Sequence, residues 1–136
     1  MRMDQDAASR FASRWLIAWN AHDLEAVLAH FAEDVVFTSP VAAHLLPATG
    51  GVLTGKAALR EYWSRGLEHI PDLRFTIEAV YAGLSIVVIN YRNHTGALVC
   101  EVLEVHEGLV VRGPGTYLSD DASGASGVRD AAPPAP

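Results

Sequence analysis

The chain has a single cysteine, Cys100, so no internal disulfide can tie its loops together. It also lacks any apolar run of membrane-crossing length. A stretch such as Ile86 to Ile89 is far too short, and no membrane partner is expected. Nothing near the start has the length and flanks of a signal peptide, which makes a cytoplasmic location the expectation. Positive charge is scarce: ten Lys and Arg stand against 16 Asp and Glu, a net charge of −6, and the cations are scattered. That leaves no electrostatic footprint for a phosphate backbone, so no nucleic-acid partner is expected. His22, His30, His69, His94 and His106 show neither HExxH nor another close metal-ligand spacing, and Cys100 has no second thiol nearby; no metal and no cofactor are expected. What the chain does have is apolar residues, half of its 136, enough for one core and one domain.

Hydrophobic periodicity divides that domain into helices first and strands last. After a flexible start over residues 1–6, Phe11, Trp15, Ala18 and Trp19 recur on one face of a first helix. Asp23 is suited to cap a short second helix with an apolar face of Leu24, Val27, Leu28 and Phe31. A strand is expected from Val35 to Ser39, ended by Pro40, then a loop through Pro47, Gly50 and Gly51 and a brief extended piece at Val52-Leu53. A third helix from Lys56 to about His69 buries Leu59, Trp63, Leu67 and Ile70 and stops at Pro71. Leu73 to Tyr81 and Leu84 to Asn93 read as strands that continue into a long hairpin over Ala97 to Leu118. The folded domain is thus expected over residues 7–118. The Gly, Ser, Ala and Pro of residues 119–136 read as a disordered tail.

The hairpin holds the residue that breaks the pattern. With a three-residue loop at His106-Glu107-Gly108, Leu103 would pair with Val111 and Glu101 with Gly113. Glu101 then shares a face with Val99, Leu103, Val105, Val111, Gly113, Gly115 and Tyr117, while Val110 and Arg112 lie on the other. A turn at His94-Thr95-Gly96 would pair Tyr91 with Val99 and Ile89 with Glu101, which sets Tyr91 diagonally beside the carboxyl. A carboxyl on an otherwise apolar face is paired, protonated or placed for chemistry.

Three helices followed by a curved, mainly antiparallel sheet make an α+β arrangement, and several motifs give it a family. W-x3-W-N-x-H-D-L-E-A at Trp15 to Ala26, F-A-E-D-V-V-F at Phe31 to Phe37, G-K-x-A-L-R-E-Y-W at Gly55 to Trp63 and V-H-E-G-L-V at Val105 to Val110 resemble, in order and spacing, the NTF2-like, SnoaL-like superfamily. The resemblance implies a strongly curved sheet curled around a long helix as a cone, with a blind apolar pocket inside and homodimers formed through the outer sheet face. It includes ketosteroid isomerases, polyketide cyclases, scytalone dehydratases and epoxide hydrolases beside members that only bind or scaffold, so fold alone does not choose the function. Against the ketosteroid isomerases, Glu101 falls where a protonated aspartic acid donates to an oxyanion, Trp15 where an oxyanion-hole tyrosine stands, and Ser39 where the aspartate base stands. Epoxide hydrolysis in this family uses an Asp-Arg-Asp set, for which this inner face offers one carboxylate and no arginine.

Glu101 and Tyr91 are therefore the expected catalytic pair, with Trp15, Trp19, Ser39, His44, Trp63, Asn93 and Tyr117 around a small apolar substrate. Two functions remain open: a cofactor-free isomerase, cyclase or dehydratase working by acid–base chemistry, and a non-catalytic ligand-binding or dimerisation module whose pocket residues are structural.

Overall fold

A computed structural model describes residues 3–119; the tail expected over 119–136 lies outside them apart from its first residue, as do the first two residues of the expected flexible start. Helix α1 (Gln5–Asn20) begins inside the segment read as a flexible start, because the Asp4 carboxylate caps it by accepting from the Ala7 N–H. Its apolar stripe, Phe11, Trp15, Ala18 and Trp19, is buried as the spacing requires. Asp23 caps α2 (Leu24–Leu28), and strand β1 (Phe31–Thr38) starts earlier than expected, so Phe31 belongs to the sheet. Where a loop was expected after Pro40 there is a short helix, α3 (Pro40–Leu45), which makes four α-helices among the described residues. Proline suits its first turn, and the Ser39 hydroxyl accepts from the Val41 and Ala42 N–H groups. Strand β2 (Val52–Thr54) and helix α4 (Lys56–His69) follow. The buried stripe of α4 is Leu59, Tyr62, Trp63 and Gly66, with Leu67 only partly covered.

Strands β3 (Thr76–Ala82), β4 (Ile86–Arg92), β5 (Leu98–His106) and β6 (Leu109–Tyr117) complete a curved, unclosed six-stranded sheet ordered β2-β1-β6-β5-β4-β3. Only the β1–β6 pair is parallel. Helices lie against the concave face, and the architecture is α+β. Asn20 clamps the end of α1 to the chain entering β3, donating from Nδ2 to the Phe75 carbonyl and accepting the Phe75 N–H. No helix of the described residues is long and apolar enough to cross a membrane.

The β4–β5 register is the expected one: Ile89 faces Glu101 and Tyr91 faces Val99. The β5–β6 register is not. Glu107 and Gly108 both take positive φ, 51° and 79°, which makes a two-residue turn with His106 opposite Leu109 and Val105 opposite Val110. A bulge then takes up Val111, so Glu104 faces Arg112 and Glu101 faces Gly115 in place of Gly113. Val110, expected outside, is fully buried. Glu101 still points inward because the net slip is two residues, and side chains alternate with a period of two.

Candidate functional site

The sheet registers build the site row by row. Phe37 lies beside Gly113, and a Cβ added to Gly113 would come within 3.0 Å of Phe37 and 3.2 Å of Leu103, so that row is filled by its neighbours. The next inward row runs from Ser39, one residue past the Thr38–Pro114 pair, through Gly115 to Glu101 and Ile89. A third row holds Tyr117, Val99 and Tyr91. Ser39 is fixed at its place by its own N–H, which donates to the Gly51 carbonyl at 3.0 Å, as well as by its cap on α3.

Glu101 is 0 % exposed, and among the described residues it is the one buried ionised-type side chain; the other buried polar residues are Ser39 and Asn93. Neither carboxyl oxygen has a hydrogen-bond partner. Burial alone pushes its pKa well above 4.5, which favours the neutral acid over the carboxylate. Tyr91 is equally buried, and its hydroxyl also has no partner. Burial and the Glu101 carboxyl hold that phenol well above its ordinary value, which keeps it an O–H donor. Tyr62 is pushed up in the same way, chiefly by burial and further by Glu101. Tyr117, at the partly exposed end of β6, is raised by burial, Tyr62 and Glu101. Ser39 offsets part of that rise for both phenols, although the Tyr62 oxygen has no hydrogen-bond partner.

Below this polar end the rings pack on one another. Trp63 meets Trp19, Phe31 and Phe37 with ring centres 5.2 to 5.3 Å apart. Phe75 links Trp19 to Trp15 and Tyr91, and Trp15 meets Tyr91 edge-on at 5.1 Å. All three indoles are at most 1 % exposed, and none of their N–H groups has a partner.

The structure brings Glu101, Tyr91, Trp15, Ser39 and Tyr117 together. Trp19 and Trp63 sit deeper, in the ring cluster. His44 is exposed in the last turn of α3 and does not enter this interior. Asn93 is buried, but its side-chain oxygen is taken up by the Thr95 N–H, the Thr95 hydroxyl and the Ala97 N–H; it staples the turn between β4 and β5. Tyr62 is the residue that sequence reasoning missed. Its signal was present, since Leu59, Tyr62, Trp63 and Gly66 recur at helical spacing. No group of three or more His, Cys, Asp or Glu among the described residues is arranged to hold a metal ion.

Residues 12–117 match the family model described as a SnoaL-like domain. The chain is similar to a SnoaL-like protein of unknown function from Burkholderia thailandensis, at 36% identity over 88% of this chain and 100% of that one, with a TM-score of 0.84. Two more distant structures share the fold. One is a proposed ketosteroid isomerase from Kribbella flavida, 23% identical over 84% of this chain and 79% of that one (TM-score 0.63). The other is TerC, co-crystallised with polyporic acid, 14% identical over 90% of this chain and 98% of that one (TM-score 0.70). No protein of curated function matches by sequence.

Proposed function

The chain belongs to the SnoaL-like family, and from that premise we propose that it binds a small, largely apolar molecule carrying an oxygen acceptor and acts on it by cofactor-free acid–base chemistry. The observation that carries this reading is the Glu101 carboxyl, wholly buried with both oxygens unpartnered and no cation among the described residues to explain its presence. An unpaired buried polar group costs about 1–3 kcal/mol, and a chain without a use for it would gain stability from leucine there. Held neutral, Glu101 donates its proton to the substrate oxygen on which charge builds and takes it back as that charge disperses, the pattern of an isomerase, cyclase or dehydratase. Tyr91 donates beside it, and Trp15 supplies a ring wall and an indole N–H. Ser39 is not the base in this scheme, because both of its lone pairs already accept backbone N–H groups. That TerC was crystallised with a small organic acid supports a fold suited to such guests.

Two further parts of the reading concern assembly and place. The outer face, where half-buried Val88 lies opposite Val102 and Asn90 opposite Cys100, suits a second copy of the chain, and the location is cytoplasmic. A second functional reading has one observation in its favour: the indoles already meet ring to ring and are sealed from solvent, as in the plain core of a binding or dimerisation module.

Carbon-13 NMR of the Glu101 carboxyl, titrated with and without 1-tetralone, separates the two. A working site keeps the carboxyl protonated through neutral pH and shifts its resonance when the ketone binds. Ordinary titration near 4.5, or indifference to the ketone, would overturn the catalytic reading.

A further inference from the structure

The W-N-x-H-D run places a polar residue one step behind the site. Asn20 is the last residue of α1, and its side-chain amide donates to the Phe75 carbonyl at 3.0 Å and accepts the Phe75 N–H at 2.8 Å. Phe75 precedes β3, whose ladder with β4 begins at Thr76, so the amide meets both backbone groups as a neighbouring strand would. A second tie lies two residues upstream, where His22 donates from Nε2 to the Leu73 carbonyl at 2.8 Å. Together they hold a buried ring. Phe75 packs with its centre 4.6 Å from that of Tyr91 and 5.6 Å from that of Trp15, whose plane is only 21° from its own. Trp15 in turn meets Tyr91 at 5.1 Å. The Tyr91 hydroxyl has no hydrogen-bond partner, so these two rings, and no polar tie, set the direction of the phenol. One of them stands on α1 and the other on the segment that Asn20 fastens to α1.

We propose that Asn20 is a positioning residue for Tyr91: by fastening Phe75 to the end of α1 it sets the gap between the Phe75 and Trp15 rings that holds the phenol beside Glu101. This role rests on the reading of Tyr91 as the donor next to that carboxyl. In the β4–β5 ladder Tyr91 faces Val99 while Ile89 faces Glu101, so Tyr91 lies diagonal to the acid. The lean of its ring, more than its place on β4, then decides whether the hydroxyl reaches the same atom of a guest. A side-chain amide suits the task because it offers a donor and an acceptor side by side. A carboxylate in its place would accept only, and would oppose the Phe75 carbonyl.

Asn20→Asp tests this within one variant. Position 20 is half-buried, so a carboxyl there can titrate. Protonated, it offers an O–H to the Phe75 carbonyl and an oxygen to the Phe75 N–H; ionised, it loses the donor. Two readouts are followed from pH 4.5 to 8: the ring Cε signals of carbon-13-labelled tyrosine, with Tyr91 assigned by its absence from Tyr91→Phe, and the affinity for 1-tetralone by calorimetry. Asn20→Ala is expected to lose the shift that the Phe75 and Trp15 ring currents impose on Tyr91, and to bind the ketone about tenfold more weakly at every pH. Asn20→Asp is expected to match it at pH 8 and to regain both signals as its carboxyl takes up a proton. Asp23→Ala, which removes the cap on α2 and leaves the Phe75 clamp in place, controls for lost stability and should change neither readout. If Asn20→Ala does not fold, the pH series of Asn20→Asp decides alone. Wild-type Tyr91 signals and wild-type affinity in Asn20→Asp at pH 8, with only the melting temperature lowered, would make Asn20 a clamp of the fold and overturn the inference while the site reading stands. If wild type takes up no tetralone, the site reading fails, and the Tyr91 signals by themselves decide whether Asn20 positions the ring.

Discussion

Two neighbouring parts of one concave face behave in opposite ways. Around Phe31, Phe37, Trp63, Leu103 and Gly113 rings and an aliphatic group pack on one another, and a Cβ at Gly113 would already be crowded. Further along the same face, Ser39, Tyr62, Tyr91, Glu101 and Tyr117 bring hydroxyls and a carboxyl, and those of Tyr62, Tyr91 and Glu101 have no partner. Apart from Tyr117 the residues of both regions are buried, so burial by itself does not tell them apart. Satisfaction of polar groups does: the first region contributes stability, and the second gives up stability for groups that can meet a ligand.

The largest effect that would test this contrast lies in the filled region. Trp63→Ala is expected to cost about 3–5 kcal/mol in urea unfolding, because Trp19, Phe31 and Phe37 cannot close the space it leaves. A loss below 1 kcal/mol would mean the ring cluster is loose, and the contrast would collapse. In the polar region the sign should reverse. Glu101→Leu is expected to stabilise the free protein by about 1–3 kcal/mol while abolishing ligand binding, and a destabilised variant would show that the carboxyl is satisfied after all.

Acidity sharpens the same point. The folded-state pKa of Glu101 lies above its unfolded value, so below about 4.5 both states hold the proton and the group is neutral to stability. As pH rises past 4.5 the unfolded chain releases the proton and the folded one does not, so stability falls by up to about 1.4 kcal/mol per pH unit until the folded group ionises. His30 and His94 act in the opposite direction. Burial lowers both, and they lose stability as pH falls below 6.5. Unfolding of wild type and Glu101→Gln from pH 4.5 to 8 isolates the carboxyl: the falling slope should vanish in the variant, and identical slopes would count against a buried acid.

Smaller effects mark the edges of the two regions. Ser39→Ala should cost about 0.5–2 kcal/mol through the lost cap on α3, and it should also release the Tyr62 and Tyr117 phenols to titrate at a different pH. Glu104→Gln, which loosens an exposed pairing with Arg112 and His106 on the outer face, should change stability by less than about 1 kcal/mol. A larger change there would mean that the outer face is covered by a partner.

Much of this was legible in advance, and the misses have local causes. The helical stripes of Trp15 and Trp19, the cap at Asp23, and the pairing of Ile89 with Glu101 follow from periodicity and turn chemistry that a short window contains. The β5–β6 register does not, because it depends on Glu107 accepting a positive φ that glutamate seldom adopts, and on a bulge that no residue type announces. Helix α3 was hidden behind Pro40, a residue that ends a strand and begins a helix equally well. Asn93 looked like a pocket residue by its place at the end of an expected strand, yet its oxygen closes the turn that follows β4.

The order of the elements other than α3, the α+β class, the family and the inward direction of Glu101 were determined by the sequence alone, because each depends on periodicity and spacing that neighbouring residues enforce. Which groups surround that carboxyl was decided only in three dimensions. Ser39 from the start of α3, Gly115 from β6 and Glu101 from β5 share one row because a parallel pairing and a bulge bring distant segments together. Registers between distant strands are set by the packing of the whole core, and no local stretch of chain encodes them.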